Sequence, residues 1–426
     1  MSKIRLFAGL MIGSSILMGC GSDGASHNPG GDIDLAQEFK KEKSMFPPPN
    51  SLPYVVSVAA PMAEIGQDFS KDNVTQAANL VADWQIRHQD EFLQSPLVTF
   101  QGTSRYSFGG WLMGTMAIGM TQWGKQANTD KYTQFILDEA KKANYKVEVR
   151  VFDADDYTTG QAYLTLNDDH PGQIDLKPLK QRLDYIYENW PTVNKESHPS
   201  CLTLDNICRE RWTWIDALFM GGPVWMHMAK TTGEEKYLQF AEAEYWATIN
   251  AFLDKEEGLL YRDSRFVGQP DPYGKKVFWS RGNGWVAASA ARMLEVLSDK
   301  SNKKQDYQQL LRTMAKALAK AQQADGSWHS SLLNPERYDM PENSGSAFFV
   351  YALAWGINNG VLDKETYFPV VKQGWQSIVR YIYADGRLGF VQPSGYNPRH
   401  VRQEDTDVYG VGAFLLASSE VIKLAR

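Results

Sequence analysis

Two short stretches carry the residues best suited to chemistry. The first is Arg211-Trp212-Thr213-Trp214-Ile215-Asp216, which sets one carboxylate beside two indoles. The second is Trp279-Ser280-Arg281-Gly282-Asn283-Gly284-Trp285, which sets a guanidinium between two indoles. Indoles pressed on a carboxyl group exclude water, raise its pKa and keep it protonated, as a general acid requires. Asp216 is therefore a candidate proton donor, with Trp214 beside it. The alternative for Asp216 is a capping or salt-bridged aspartate among core tryptophans. Arg281 can grip a carboxylate with two parallel hydrogen bonds. Trp279 and Trp285 offer flat apolar faces to a sugar ring, and Asn283 lies between them. The alternative there is a tryptophan-lined core turn with an ion-paired arginine. Gly282 and Gly284 each cost about 1 kcal/mol inside a helix. Their presence predicts a non-helical segment whose backbone comes close to something else.

A third constellation is Asp153-Ala154-Asp155-Asp156-Tyr157-Thr158-Thr159-Gly160. Carboxylates this close raise one another's pKa. They could equally cap the helix that follows. Glu342-Asn343-Ser344 and Glu404-Asp405-Thr406-Asp407 precede apolar runs and read first as caps. The seven histidines are scattered. His227 reads as a satisfied core residue. No metal-ligand spacing, phosphate-binding loop or nucleophilic-serine elbow is present, so neither metal nor cofactor is expected.

These residues need a frame, and the rest of the chain supplies helices. The chain has 426 residues, 43% hydrophobic and 22% charged, which is ordinary globular composition. Ala77, Leu80, Val81 and Trp84 follow i, i+3, i+4, i+7 spacing, the mark of one buried helical face. Similar runs recur at 110–123, 132–143, 160–166, 176–190, 223–231, 237–252, 285–297, 307–322, 347–357, 367–383 and 410–424. They make helical pairs every 50 to 60 residues or so, near the upper end of helical-repeat units. That pattern predicts an all-α fold of consecutive hairpins closed into a toroid, with an open solenoid as the alternative. Leu259-Leu260-Tyr261 and Leu388-Gly389-Phe390-Val391 predict short hairpins on the rim.

The N-terminus is a targeting segment. Lys3 and Arg5 precede the apolar run 6–18, which is too short to span a bilayer. Leu17-Met18-Gly19-Cys20 resembles a bacterial lipobox, which implies cleavage before Cys20 and lipidation there. The expected organisation is a signal peptide over 1–19, a tether and arm over 20–55, and one catalytic domain over 56–426. The expected location is a membrane-anchored lipoprotein in the periplasm or at the cell surface. In an oxidising compartment Cys201 and Cys208 could form a disulfide or remain free thiols. The net charge of −6 gives no general attraction for nucleic acid. A monomer is expected.

With these motifs assembled, the chain resembles glycoside hydrolase family 105, the unsaturated rhamnogalacturonyl hydrolases, and related unsaturated glucuronyl hydrolases. Trp214-Ile215-Asp216 resembles the family's Trp-x-Asp segment. Trp279 to Trp285 resembles its Trp-x-Arg-x-x-x-Trp platform. Asp155-Asp156-Tyr157-Thr158-Thr159-Gly160 is similar to its acidic segment. The resemblance implies an (α/α)6 barrel in which Asp216 is the general acid and base. It implies Asp155 as second catalytic carboxylate, with Asp156 close behind as a substrate contact. It further implies a 4,5-unsaturated uronate at the non-reducing end of an oligosaccharide as substrate. Where the family often has a histidine after Gly-Leu-x-Tyr, this chain has Arg262, which changes the charge near the substrate. The alternatives are a glycan-binding lipoprotein without turnover, an α/α-barrel lyase, or a saturated glycosidase.

Overall fold

The structure is a computed structural model, and it describes residues 61–66, 68–94, 106–189 and 211–426. The expected signal peptide, the tether, Cys20, Cys201 and Cys208 lie outside the described residues.

In chain order the helices are α1 (Lys71–Leu93), α2 (Trp111–Gly124), α3 (Lys131–Lys142), α4 (Gly160–Asp169), α5 (Lys177–Glu188), α6 (Ala217–Met220), α7 (Gly222–Thr232), α8 (Glu235–Phe252), α9 (Ser280–Glu295), α10 (Lys304–Ala321), α11 (Asn343–Asn358), α12 (Lys364–Val379) and α13 (Val408–Leu424). Their contacts close a ring. Helix α2 packs on α4, α4 on α7, α7 on α9, α9 on α11, α11 on α13, and α13 back on α2. The remaining long helices lie outside this ring, each beside an inner one or beside another outer helix. The fold is an (α/α)6 barrel, and the open-solenoid alternative is excluded by the contact between α13 and α2.

Sequence explains which helix goes where. Outer helix α10 buries Tyr307, Leu310, Leu311, Met314, Ala315 and Leu318, a single stripe, and leaves its other face polar. Inner helix α13 is buried without a break from Val408 to Val421, and α11 from Asn343 to Ile357. A helix buried on all sides must be largely apolar or small, and these are, the buried Glu420 of α13 being paired with Lys423 and Asn358. The closing seam depends on glycine. A Cβ on Gly119 would collide with the Gly412 carbonyl, and one on Gly412 with the Thr115 carbonyl. The two backbones therefore touch directly, which no larger residue permits.

Helix α9 corrects a sequence expectation. It begins at Ser280, so Gly282 and Gly284 lie inside a regular helix. Their role is close approach, though to protein. A Cβ on Gly284 would meet Phe348 at 3.1 Å and Gly345 of α11 at 3.3 Å; one on Gly282 would meet the Trp279 ring at 2.9 Å. The rim carries the expected short hairpins: β1 (Leu253–Asp254) pairs antiparallel with β2 (Leu259–Leu260), and Ile382 bridges Leu388.

Candidate active site

Asp216 stands at the start of α6, where the chain leaves a loop and enters the barrel wall. The loop is fixed by a rim segment: Trp214 bridges Asp263, and the Ile215 N–H donates to the Arg262 carbonyl at 2.9 Å. Trp212 turns away, donating its indole N–H to the Tyr157 hydroxyl at 3.2 Å. Of the two indoles, Trp214 alone remains near the carboxylate in sequence and on the same loop edge. Pro223 sits in the first turn of α7, where its missing N–H costs nothing.

The Asp216 side chain is 11% exposed. Its Oδ2 has no hydrogen-bond partner among the described residues, and neither has the Nε of Arg262. These two atoms are 3.4 Å apart. Burial pushes the Asp216 carboxyl above the ordinary aspartate range, against the pull of Arg262 and then Arg281. Arg262 is held from behind: its Nη1 donates to Asp263 at 2.7 Å, and Asp263 also accepts from Arg265 at 2.9 and 2.8 Å. Burial opposes the Asp263 charge, but Arg265 and Arg262 keep its carboxyl well below the usual range.

The acidic segment divides its carboxylates among three roles. Asp153 caps the short 3-10 turn Ala154–Tyr157, accepting from the Asp155 N–H, and pairs with Arg150. Asp156 is engaged by Arg150 through both oxygens, with Nη2 at 2.5 Å and Nε at 3.0 Å on Oδ1 and the Arg150 N–H at 2.6 Å on Oδ2. Burial pushes the Asp156 carboxyl up to about 6 even so. Asp155 is the least engaged of the three, with Arg150 no nearer than 3.8 Å. Burial, then the charge of Asp153, raises its pKa well above the ordinary value, and Asp216 contributes in the same direction. The charge of Asp155 is also felt by Arg262. Asp155, Arg262 and Asp216 thus come from three elements close enough to feel one another's charge.

The second motif is placed next to the first but differs in state. Arg281 is 1% exposed. Its Nη1 donates to the Gln392 carbonyl at 2.8 Å and the Tyr409 hydroxyl at 2.7 Å, and its Nη2 to the carbonyls of Pro393 and Gly395 at 3.1 and 3.3 Å. It stacks on Trp279 at 4.3 Å. The Trp279 N–H donates to Gln392 Oε1 at 2.9 Å. Trp285 is buried among Phe348, Phe219, Trp111 and Tyr409. Asn283 accepts from the Leu260 N–H at 2.8 Å and donates to the carbonyls of Leu260 and Trp279, each at 3.0 Å, so it ties α9 to β2.

Gln392, Tyr409, Trp111 and Arg150 were not singled out from sequence. Tyr409 and Trp111 begin inner helices, at positions that face the barrel mouth, and an aromatic at that place was the available signal. Glu342 proves to be a cap, accepting from the N–H groups of Ser344 and Gly345 at 3.1 and 2.7 Å. His227 is buried and meets Asp168 at 2.8 Å. No group of three or more metal-ligating side chains occurs among the described residues.

A dry, raised-pKa carboxyl with a second carboxyl beside it, at the mouth of an α/α barrel, suits acid–base work on a sugar. The comparisons agree. The profile described as Glycosyl Hydrolase Family 88 matches residues 77–425.

The chain belongs to glycosyl hydrolase family 88.

It is a glycoside hydrolase. The family so matched carries the number 88, where the motifs resemble family 105. The chain is similar to an "Unsaturated 3S-rhamnoglycuronyl hydrolase" of Alteromonas sp. (strain LOR), 36% identical over 73% of this chain and 77% of the relative. A protein of the same description from Formosa agariphila is 37% identical over 74% of this chain and 84% of its own length. Among solved structures, a "Glycosyl hydrolase family 88 from Bacteroides vulgatus" is 28% identical with a TM-score of 0.68, covering 83% of this chain and 99% of that one.

Proposed function

We propose that the protein removes a 4,5-unsaturated uronate from the non-reducing end of lyase-generated oligosaccharides, with Asp216 as general acid and then base. The observation that carries this reading is the Asp216 carboxyl itself, buried, raised in pKa and with one oxygen lacking a hydrogen-bond partner among the described residues. The vinyl ether is electron-rich at C4. Asp216 gives its proton to C4, and positive charge develops at C5, shared with the ring oxygen. The carboxylate left behind takes a proton from water as that water adds to C5. The hemiketal opens to a ketone, and the hydroxyl freed at C1 expels the next sugar as an alcohol. One water is consumed, and Asp216 ends protonated as it began. This route differs from displacement at the anomeric carbon by a carboxylate pair. Burial and the neighbouring carboxylates favour the neutral form of Asp155, which lessens the negative charge facing the anionic substrate.

The joint positive field of Arg262 and Arg281 draws the uronate carboxylate. The names of the two relatives support rhamnose as the leaving sugar, and we read their "3S" as a sulfate on it. Arg265 and Arg399 stand over the Tyr396 ring at 4.6 and 5.9 Å, and Arg399 has no carboxylate partner among the described residues. These cations suit such a charged leaving group. The Trp-x-Arg-x-x-x-Trp spacing of residues 279–285 supports a place beside the family 105 enzymes. The lipobox-like segment supports attachment to a membrane through Cys20, facing the periplasm or the exterior.

The test is a panel of unsaturated disaccharides, sulfated and unsulfated, followed by loss of ultraviolet absorbance as the double bond is hydrated. The sulfated uronyl-rhamnose should be consumed. Asp216→Asn should lose on the order of 1,000-fold in turnover while remaining folded. Near-normal turnover in that variant contradicts the assignment.

A further inference from the structure

We infer that Arg262 is the positioning residue for Asp216, fixing which carboxyl oxygen carries the proton. This rests on Asp216 being the acid. The Nε of Arg262 and Oδ2 of Asp216 are both buried, both without a hydrogen-bond partner among the described residues, and 3.4 Å apart. The contact is electrostatic rather than a hydrogen bond, and negative charge is favoured on the oxygen nearer the cation. The proton is therefore favoured on Oδ1, the oxygen that delivers it. After delivery the new carboxylate lies against a cation already in place, with no reorganisation needed.

The geometry is enforced from behind. Arg262 cannot swing away, because Nη1 is anchored on Asp263, which Arg265 grips with two further hydrogen bonds. The backbone adds a second tie, since the Ile215 N–H donates to the Arg262 carbonyl one residue before Asp216. Guanidinium and carboxyl are thus fixed through two connections of the same loop pair. The charged groups around Asp216 are Arg262 and Asp263 on that rim segment, Arg281 on α9, and Asp155 on the 3-10 turn with Arg150, Asp153 and Asp156 behind it. Arg262 is the cation with the largest effect on Asp216. Asp216 must be protonated to act, so activity falls as pH rises through its pKa. A cation beside it lowers that pKa and so sets the alkaline end of the working range.

The test compares full-length wild type with Arg262→Gln and Arg262→Lys on the unsaturated disaccharide, across pH. Arg262→Gln should move the alkaline limb of kcat/KM upward by about one pH unit. It should lower kcat on the order of 100-fold, as for a misplaced acid, with KM changed only a few-fold. Arg262→Lys restores the charge but cannot hold Asp263 and stand beside Asp216 at once, so its limb stays near wild type while kcat stays low. Asp263 keeps its bonds to Arg265 in both variants, and melting curves check the fold. If Arg262→Gln melts early, the lysine variant decides: a lowered kcat with an unmoved limb supports the proposal, and an unchanged kcat overturns it. An unmoved limb in a folded Arg262→Gln, or a rise in KM alone, also overturns it and leaves Arg262 with the substrate-attracting role only. Failure of the Asp216 reading would look different, as normal turnover in Asp216→Asn.

Discussion

The two motifs that look alike in sequence are opposites in the folded chain. At Asp216 the fold leaves a buried oxygen without a hydrogen-bond partner among the described residues and raises the carboxyl pKa. At Arg281 the fold engages four guanidinium hydrogen bonds with three carbonyls and a phenol. One group is held in a costly state, and the other is fully satisfied. Buried polar groups are normally paired, so the exception marks the place where chemistry can happen. The satisfied arginine does a different task. It ties α9 to the 392–395 segment and to α13, and thereby shapes the wall that Asp216 faces.

That contrast can be broken by mutation. The largest expected effect is at Arg281. Arg281→Ala leaves the Gln392, Pro393 and Gly395 carbonyls and the Tyr409 hydroxyl short of a donor. The cost is at least about 3 kcal/mol, read as a lower melting temperature. Asp216→Asn should do the reverse, leaving the melting temperature unchanged or raised at neutral pH, because asparagine removes the cost of holding a buried carboxyl protonated above its unfolded pKa. If Arg281→Ala melts like wild type, the claim of a structural arginine fails.

A smaller effect sharpens the comparison at Asp155. Its folded pKa is raised above the unfolded value. Folded wild type therefore holds a proton that the unfolded chain releases, and stability falls as pH rises from the unfolded pKa through the folded one. Asparagine does not titrate. The melting temperature of Asp155→Asn should thus gain on wild type across that window and hold its gain above it, while turnover falls. A gain that appears only at acidic pH contradicts the sign.

Much of this was legible in the sequence. The helical pairs could be read because a 3.6-residue apolar period survives wherever a helix has one wet face, as in α10. The start of α9 was not, because Gly282 and Gly284 read as breakers; only the packing against Phe348 and Gly345 shows why a helix tolerates them. The start of α11 was legible as a cap at Glu342, although the apolar run itself begins only at Ala347. Asp216 was legible because a carboxylate among indoles has few ordinary explanations. The division of labour among Asp153, Asp155 and Asp156 was hidden, because it depends on Arg150, which reaches all three only once the loop has folded back. Arg281 was visible as a cation with aromatic neighbours. That its partners would be main-chain carbonyls from more than 100 residues away leaves no local pattern to read.

The account turns on Asp216 being kept uncharged by burial against two nearby arginines. The direct measurement is a carbon-13 NMR titration of protein labelled at aspartate carboxyl carbons, with the Asp216 resonance assigned by its absence in Asp216→Asn. The account predicts a midpoint clearly above the ordinary aspartate value of about 4. A midpoint at or below that value would mean that Arg262 and Arg281 win over desolvation, and that Asp216 is not the proton donor.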